Sequence, residues 1–174
     1  LGIQRAPNQA IRASGLGYSV LRNSLYAELM IDTVKRAIAT GQLIAAAGEG
    51  KVAYVTREDC ARAAAAALAA EYDGLRILDI TGPQALSQAE VAAIASRLSG
   101  QAVTYVAIPH SALVDGMVGA GLPRPVAEIY ASFDAGIAAG VLDVALGALQ
   151  QLTGQAPMGL EDFLAVHREA ILSA

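Results

Sequence analysis

The sequence predicts an α/β fold with a mostly parallel sheet and a helical last third, and three observations carry that prediction. Short runs rich in β-formers alternate with helix-patterned stretches from Gly17 to Ile108. After Pro109 only helical patterns follow. The apolar excess lies in small side chains, with 38 Ala and 17 Gly against 5% aromatics, so neighbouring elements can approach closely.

Pro7 can open a first helix, since its missing N–H has no partner there anyway, and Gly15 ends it. Gly17 to Arg22 reads as a strand covered on both faces. Ile31, Val34, Ala37 and Ile38 have helical spacing, which predicts a helix from Tyr26 to Thr40 closed by Gly41. Leu43–Ala47 and Lys51–Val55 flank the turn Gly48-Glu-Gly50 as two extended pieces. Thr56-Arg-Glu-Asp59 has capping-box spacing and starts a helix that runs to Ala70. Asp73-Gly74 turns into the strand Leu75–Ile80. Ser87-Gln-Ala-Glu90 caps a further helix ended by Gly100, and Val103–Ile108 is the next strand. The remaining helices are expected at Ser111–Ala120, Pro123–Gly140, Asp143–Leu152 and Leu160–Leu172.

Composition excludes several classes. With 174 residues, 55% hydrophobic and 16% charged, the chain has enough apolar material for one domain with a sizeable core, and it is not a disordered tail. Twelve basic against 16 acidic residues give a net charge of -4 with no concentrated basic face, which argues against nucleic acid. No run of about 18 residues is apolar throughout, so no membrane span is expected. Gln4, Arg5 and Asn8 interrupt the place where a signal peptide needs its apolar stretch. A single cysteine, Cys60, allows no internal disulfide and fits a reducing compartment, so a cytoplasmic location is expected. The chain opens on Leu1 rather than Met, as a fragment or a processed product would.

The chemistry is narrowed first by what is missing. His110 and His167 stand far apart and outside any ligand array, so no metal site is expected. No Gly-x-Ser-x-Gly elbow occurs, and Gly50-Lys51 and Gly15-Leu-Gly17 lack the residues that complete a phosphate loop or a dinucleotide fingerprint. The positive feature is Asn23-Ser-Leu-Tyr26-Ala-Glu28, which directly follows a strand. In open α/β sheets ligands bind outside the carboxyl ends of strands, where donors are unpaired. Two readings stay open: Asn23 and Tyr26 face such a crevice, or Asn23 or Ser24 caps the next helix and Tyr26 packs against the cap. Cys60 lies in a first helical turn, where a thiol can be activated, but its Ala-rich neighbours favour a small core residue. Met117, Tyr130 and Phe133 either line an apolar pocket or fill core.

The segment Gly15-Leu-Gly-Tyr-Ser-Val-Leu-Arg-Asn-Ser-Leu-Tyr-Ala-Glu28 resembles the strand-and-site segment of the NmrA-like atypical short-chain dehydrogenases/reductases, and within them the NAD(P)H-dependent quinone oxidoreductases. Further resemblances follow in order: Ala47 to Asp59, Leu78-Asp-Ile-Thr-Gly-Pro83, Leu86 to Val91, Val103-Thr-Tyr105, Leu152 to Pro157 and Leu160-Glu-Asp-Phe-Leu164. Together they cover nearly the whole chain.

The resemblance implies the C-terminal part of a Rossmann-like fold: residues 1–108 as the back portion of the NAD(P)-binding domain and 109–174 as a helical cap on the substrate side. The Gly-rich phosphate turn belongs to the other half. It implies hydride transfer from NADP or NAD cofactor to a quinone-like acceptor, with the isolated chain inactive. By resemblance Asn23 and Tyr26 are the catalytic pair, and Arg22, Asn23, Ser24 and Leu25 border the cofactor. Tyr26, Thr56, Arg57, Met117, Leu122 and Phe133 border the acceptor. Family members tend to carry a polar His or Lys, then Thr-Glu, on the helix before the site strand; here Gln4, Pro7 and Asn8 stand in those places. The same family also admits a non-catalytic NAD(P) sensor, and a standalone interaction module remains a further alternative. A sheet cut at its first strand exposes an edge, so a homodimer or association through that edge is expected.

Overall fold

The structure, a computed structural model, describes residues 10–70 and 72–173. Gln4, Pro7 and Asn8, and with them the expected helix opening, lie outside the described residues. The strands are β1 (Tyr18–Asn23), β2 (Gln42–Ala45), β3 (Lys51–Val52), β4 (Leu75–Ile80), β5 (Leu86–Ser87) and β6 (Thr104–Ala107). The helices that follow residue 13 are α1 (Leu29–Thr40), α2 (Arg57–Ala69), α3 (Gln88–Ser99), α4 (His110–Gly119), α5 (Arg124–Ala138), α6 (Ala148–Thr153), α7 (Leu160–Val166) and α8 (Arg168–Leu172). This is an α/β chain in which β1 pairs with β4 and β2 with β6, both parallel, while the short β3 and β5 pair antiparallel.

The β1–β4 register places Leu21 opposite Leu78 and Ser19 opposite Arg76. Leu21, Leu78 and Ile80 pack with Val55, Cys60, Ala63, Ala148 and Leu149 from α2, α6 and the segment before α2. The opposite face carries Leu75 and Ile77, which are 63% and 36% exposed. β1 is therefore covered on one face rather than two among the described residues. A larger core joins α1 and α3 to β2 through Val34, Ile38, Leu43, Val91 and Ile94. Leu160, Phe163, Leu164 and Ile171 of the last two helices enter that same core. The α4–α5 hairpin has a small core of its own, around Val114, Ala127 and Ala131. Asp134 of α5 ties this hairpin to the end of β2 by accepting the Ala46 N–H at 2.7 Å.

Four expected elements differ, three for a tertiary reason and the last at a local contact. The helix expected from Tyr26 starts at Leu29, because Ala27 donates to the Val55 carbonyl at 2.9 Å and the Leu25 carbonyl accepts from Val55 at 3.0 Å. The extended piece ends at Val52, since Ala53 turns to the Leu142 carbonyl and itself accepts from Gly82. The helix expected from Asp143 starts at Ala148, because the buried Thr81 hydroxyl engages both the N–H and the carbonyl of Leu146. The last helix breaks at His167, whose ring bonds the Phe163 carbonyl at 2.9 Å. Gly41, by contrast, closes α1 in the left-handed region as its position suggested, with φ 71°. Gly82 lies so close to the Tyr54 carbonyl that any side chain there would collide with it.

Both capping signals act, but in different ways. Ser87 and Glu90 form the full reciprocal box. At α2 the Thr56 hydroxyl accepts the Asp59 N–H at 3.0 Å, whereas the Asp59 carboxylate turns away to Arg62 and to the Met158 N–H at 3.0 Å. Asp59 is fully buried, so it ties α2 to the chain entering α7. Asp59→Ala is expected to cost about 3 kcal/mol, as removal of one buried partner does, and Ser87→Ala about 1 kcal/mol. Equal losses in urea denaturation would reduce Asp59 to a cap.

Candidate functional site at the carboxyl end of β1

β1 delivers Arg22 and Asn23 to its carboxyl end, both exposed. Ser24 N–H still bonds the Ile80 carbonyl at 2.9 Å, so the strand pairing carries one residue past β1. The exchange between residues 25–27 and Val55 then pulls the chain across to the segment that enters α2. Two loops thereby meet at one strand end, one carrying Asn23 and Tyr26 and the other Thr56 and Arg57.

The side chains converge there. Asn23 Nδ2 donates to Tyr26 Oη at 3.4 Å. The Arg57 guanidinium lies over the Tyr26 ring, 5.2 Å from its centroid, within cation–π range. Glu28 Oε1 accepts the Arg57 N–H at 2.8 Å. Arg22 pairs with Asp79 across the strands at 2.7 Å, a half-exposed ion pair of small energetic weight that orients the guanidinium. Ser24 Oγ and Glu28 Oε2 are buried without a hydrogen-bond partner among the described residues.

The structure removes the capping role from the second reading, while Tyr26 itself packs partly against the core beneath β1. Neither Asn23 nor Ser24 caps α1, whose N-cap position is Glu28 with no side-chain cap. Leu25 gives its carbonyl to Val55 and packs its side chain against the larger core. Thr56 is buried as the α2 cap rather than presented to solvent. Met117 and Leu122 pack inside the α4–α5 hairpin. Phe133 is 48% exposed and shares one face of α5 with Val126, Ile129 and Tyr130. Two open grooves, of about 260 and 460 Å³, lie elsewhere: between α3, α7 and α8, and between α2 and β1. Neither borders Asn23 or Tyr26.

Sequence reasoning gave Glu28 and Asp79 no role of their own and Asp59 only that of a capping residue. Glu28 stands inside the segment that was singled out, and only the approach of Val55 gives it a partner 29 residues away. Among the described residues no group of three or more His, Cys, Asp and Glu could hold a metal, and no helix is long and apolar enough to cross a membrane. Cys60 is buried beside Val55 and Ile80, and burial, reinforced by Asp59 and Glu28, pushes its thiol up to about 11. It stays protonated at neutral pH. A disulfide reagent at pH 8 is expected to label the native chain about 100-fold more slowly than the urea-unfolded chain; equal rates would place Cys60 at the surface.

No protein-family model matches the chain. It is 34% identical over 152 residues to the uncharacterized oxidoreductase YesF of Bacillus subtilis (86% of this chain, 53% of that protein). It is 31% identical over 170 residues to the NAD(P)H azoreductase of Xenophilus azovorans (95% of this chain, 58% of that protein). The chain thus spans little more than half the length of these curated relatives. Among solved structures it matches the NADPH-dependent quinone oxidoreductase of Escherichia coli with TM-score 0.86 and 29% identity, over 91% of this chain and 58% of that one. The Citrobacter triphenylmethane reductase matches with TM-score 0.84 and 28% identity, over 93% and 56%. By sequence and by fold, the chain is similar to NAD(P)H-dependent oxidoreductases, which supports its resemblance to the NmrA-like atypical short-chain dehydrogenases/reductases.

Proposed function

We propose that this chain is the C-terminal part of an NAD(P)H-dependent oxidoreductase that reduces a quinone-like acceptor at the carboxyl end of β1. The observation that carries the reading is the convergence of Asn23, Tyr26 and Arg57 at that strand end. The relatives' names, NAD(P)H azoreductase and NADPH-dependent quinone oxidoreductase, support the class of reaction.

The residues present fit the nicotinamide end of the cofactor. Asn23 offers an exposed amide, and Ser24 Oγ is a buried hydroxyl without a partner among the described residues. Arg22, Asn23, Ser24 and Leu25 would hold that end, Leu25 through its backbone. When bound, the cofactor supplies the hydride. The protein needs no nucleophile for such a step; it has to orient the two reactants and stabilise the oxygen that gains charge. Tyr26 Oη, held toward Asn23, is placed to donate to that oxygen, and the Arg57 cation stands beside it to offset its charge. A proton from solvent completes the two-electron reduction of the acceptor. Phe133 supplies an apolar wall, which Met117 and Leu122 support from within the hairpin. Thr56 fixes the start of α2, and with it Arg57.

Association through β1 belongs to the same reading. Tyr18 and Ser24 direct their N–H groups to β4, so Ser19 and Leu21, of the other parity, present theirs outward. Beside this edge lies the exposed face of Leu75 and Ile77. An unpaired edge flanked by apolar surface favours pairing with the remainder of the fold or with a second copy.

NAD(P)H oxidation with a panel of quinones tests the proposal. Tyr26→Phe, Asn23→Ala and Arg57→Ala are each expected to lower turnover about 10-fold, roughly 1.4 kcal/mol of transition-state binding. Tight NAD(P)H binding with no turnover by the intact protein would instead make it a sensor. In sedimentation the chain is expected to associate as its concentration rises, and Leu75→Lys to weaken that association; a monomer at every concentration overturns the edge assignment.

A further inference from the structure

We infer that Glu28 is a positioning residue, whose carboxylate holds Arg57 in place over the Tyr26 ring. The inference rests on the reading above, which gives Arg57 and Tyr26 their work.

Glu28 is not needed to start α2. The Thr56 side chain already serves the Asp59 N–H as the helix cap. The Arg57 N–H belongs to the first helical turn, where donors have no intrahelical partner and water ordinarily serves them. Arg57 is itself exposed, so water is at hand. Its N–H is taken instead by Glu28 Oε1 at 2.8 Å, in a carboxylate whose second oxygen is buried without a partner among the described residues. Leaving a buried acceptor unpaired is unfavourable, and such groups in a folded protein call for a reason. As a cap alone, this arrangement is a poor choice.

It makes sense as a geometric constraint. Glu28 is two residues from Tyr26, and the intervening Ala27 is locked to Val55. Glu28 and Tyr26 therefore move as one piece. Arg57 is on the other loop, at the end of a long flexible side chain. The Glu28 bond fixes the Arg57 backbone relative to the Tyr26 ring and confines the guanidinium to its observed place 5.2 Å from the ring centroid. The negative carboxylate near the base of that side chain also favours keeping the cation on this side of the crevice.

The test compares Glu28→Gln, Glu28→Ala and Glu28→Asp in the full chain. Glutamine keeps an acceptor at the same reach, alanine removes it, and aspartate keeps the charge but shortens the reach by one methylene. The first readout is the NMR shift of the Arg57 side-chain protons, which the Tyr26 ring moves upfield; Tyr26→Leu supplies the ring-free reference. The upfield shift is expected in the parent chain and in Glu28→Gln, and is expected to collapse to the reference in Glu28→Ala and Glu28→Asp. Should the alanine variant not fold, the aspartate variant decides alone. Retention of the shift in the aspartate variant, or its loss in the glutamine variant, overturns the inference. The second readout is turnover of the intact protein with NAD(P)H and a quinone, where Glu28→Asp is expected to lower kcat about 10-fold with KM little changed and Glu28→Gln to keep it at the parent level. An intact protein that reduces no quinone defeats the proposed reaction, while the NMR comparison still decides whether Glu28 positions Arg57.

Discussion

Two backbone hydrogen bonds between residues 25–27 and Val55 hold the candidate site together. Through them the chain leaving β1 is bound to the chain entering α2, and every side chain of the crevice stands within three residues of that junction. Without it, Tyr26 would begin a helix while Thr56 and Arg57 opened another, with no backbone bond to bring the two together. The junction is protected by packing: Ala27 and Val55 are buried, and Val55 faces Leu21, Ile80 and Cys60 in the core beneath β1. Gly82 closes against the Tyr54 carbonyl, where only a residue without a side chain fits.

That arrangement suits chemistry by orientation and charge rather than by covalent attack. The one thiol is sunk into the core and kept protonated by burial. The groups left at the surface of the strand end are an amide, a phenol and a guanidinium, which donate hydrogen bonds or offset negative charge. Such groups stabilise an oxygen that gains electrons. The α4–α5 hairpin is anchored at a distance from the strand end, through Asp134 and the loop after β2. Burial raises the Asp134 carboxyl above the ordinary range, while the Ala46 N–H, and less strongly His110, oppose that rise.

Much of the fold was legible in local pattern. The Ser87 box, the Thr56 cap and the Gly41 stop each depend on residues within a few positions, so the sequence states them directly. Elements went astray where a distant group claimed the backbone. Thr81 took both polar groups of Leu146 from a helix, and Val55 took Ala27 from another. Asp59 was readable as a capping residue, yet its carboxylate serves Met158, 99 residues on. The candidate site was legible as far as Asn23 and Tyr26, because a polar pair directly after a strand is a local signal. Leu25, Thr56, Met117 and Leu122 were placed near the reactants by resemblance alone; Leu25 packs against the larger core, Thr56 caps α2, and Met117 and Leu122 pack in the α4–α5 hairpin.

Alone, the sequence settled the class of fold, most of the order of its strands and helices (though not the short β5 or the break at His167), and the strand end where polar side chains gather, since each follows from short-range propensity and from the spacing of apolar residues. Tertiary structure decided which backbone groups at the loop ends pair with which, and so which side chains share the crevice. A buried N–H or carbonyl must find a partner, and that partner is chosen by what the packed core brings alongside rather than by its neighbours in sequence.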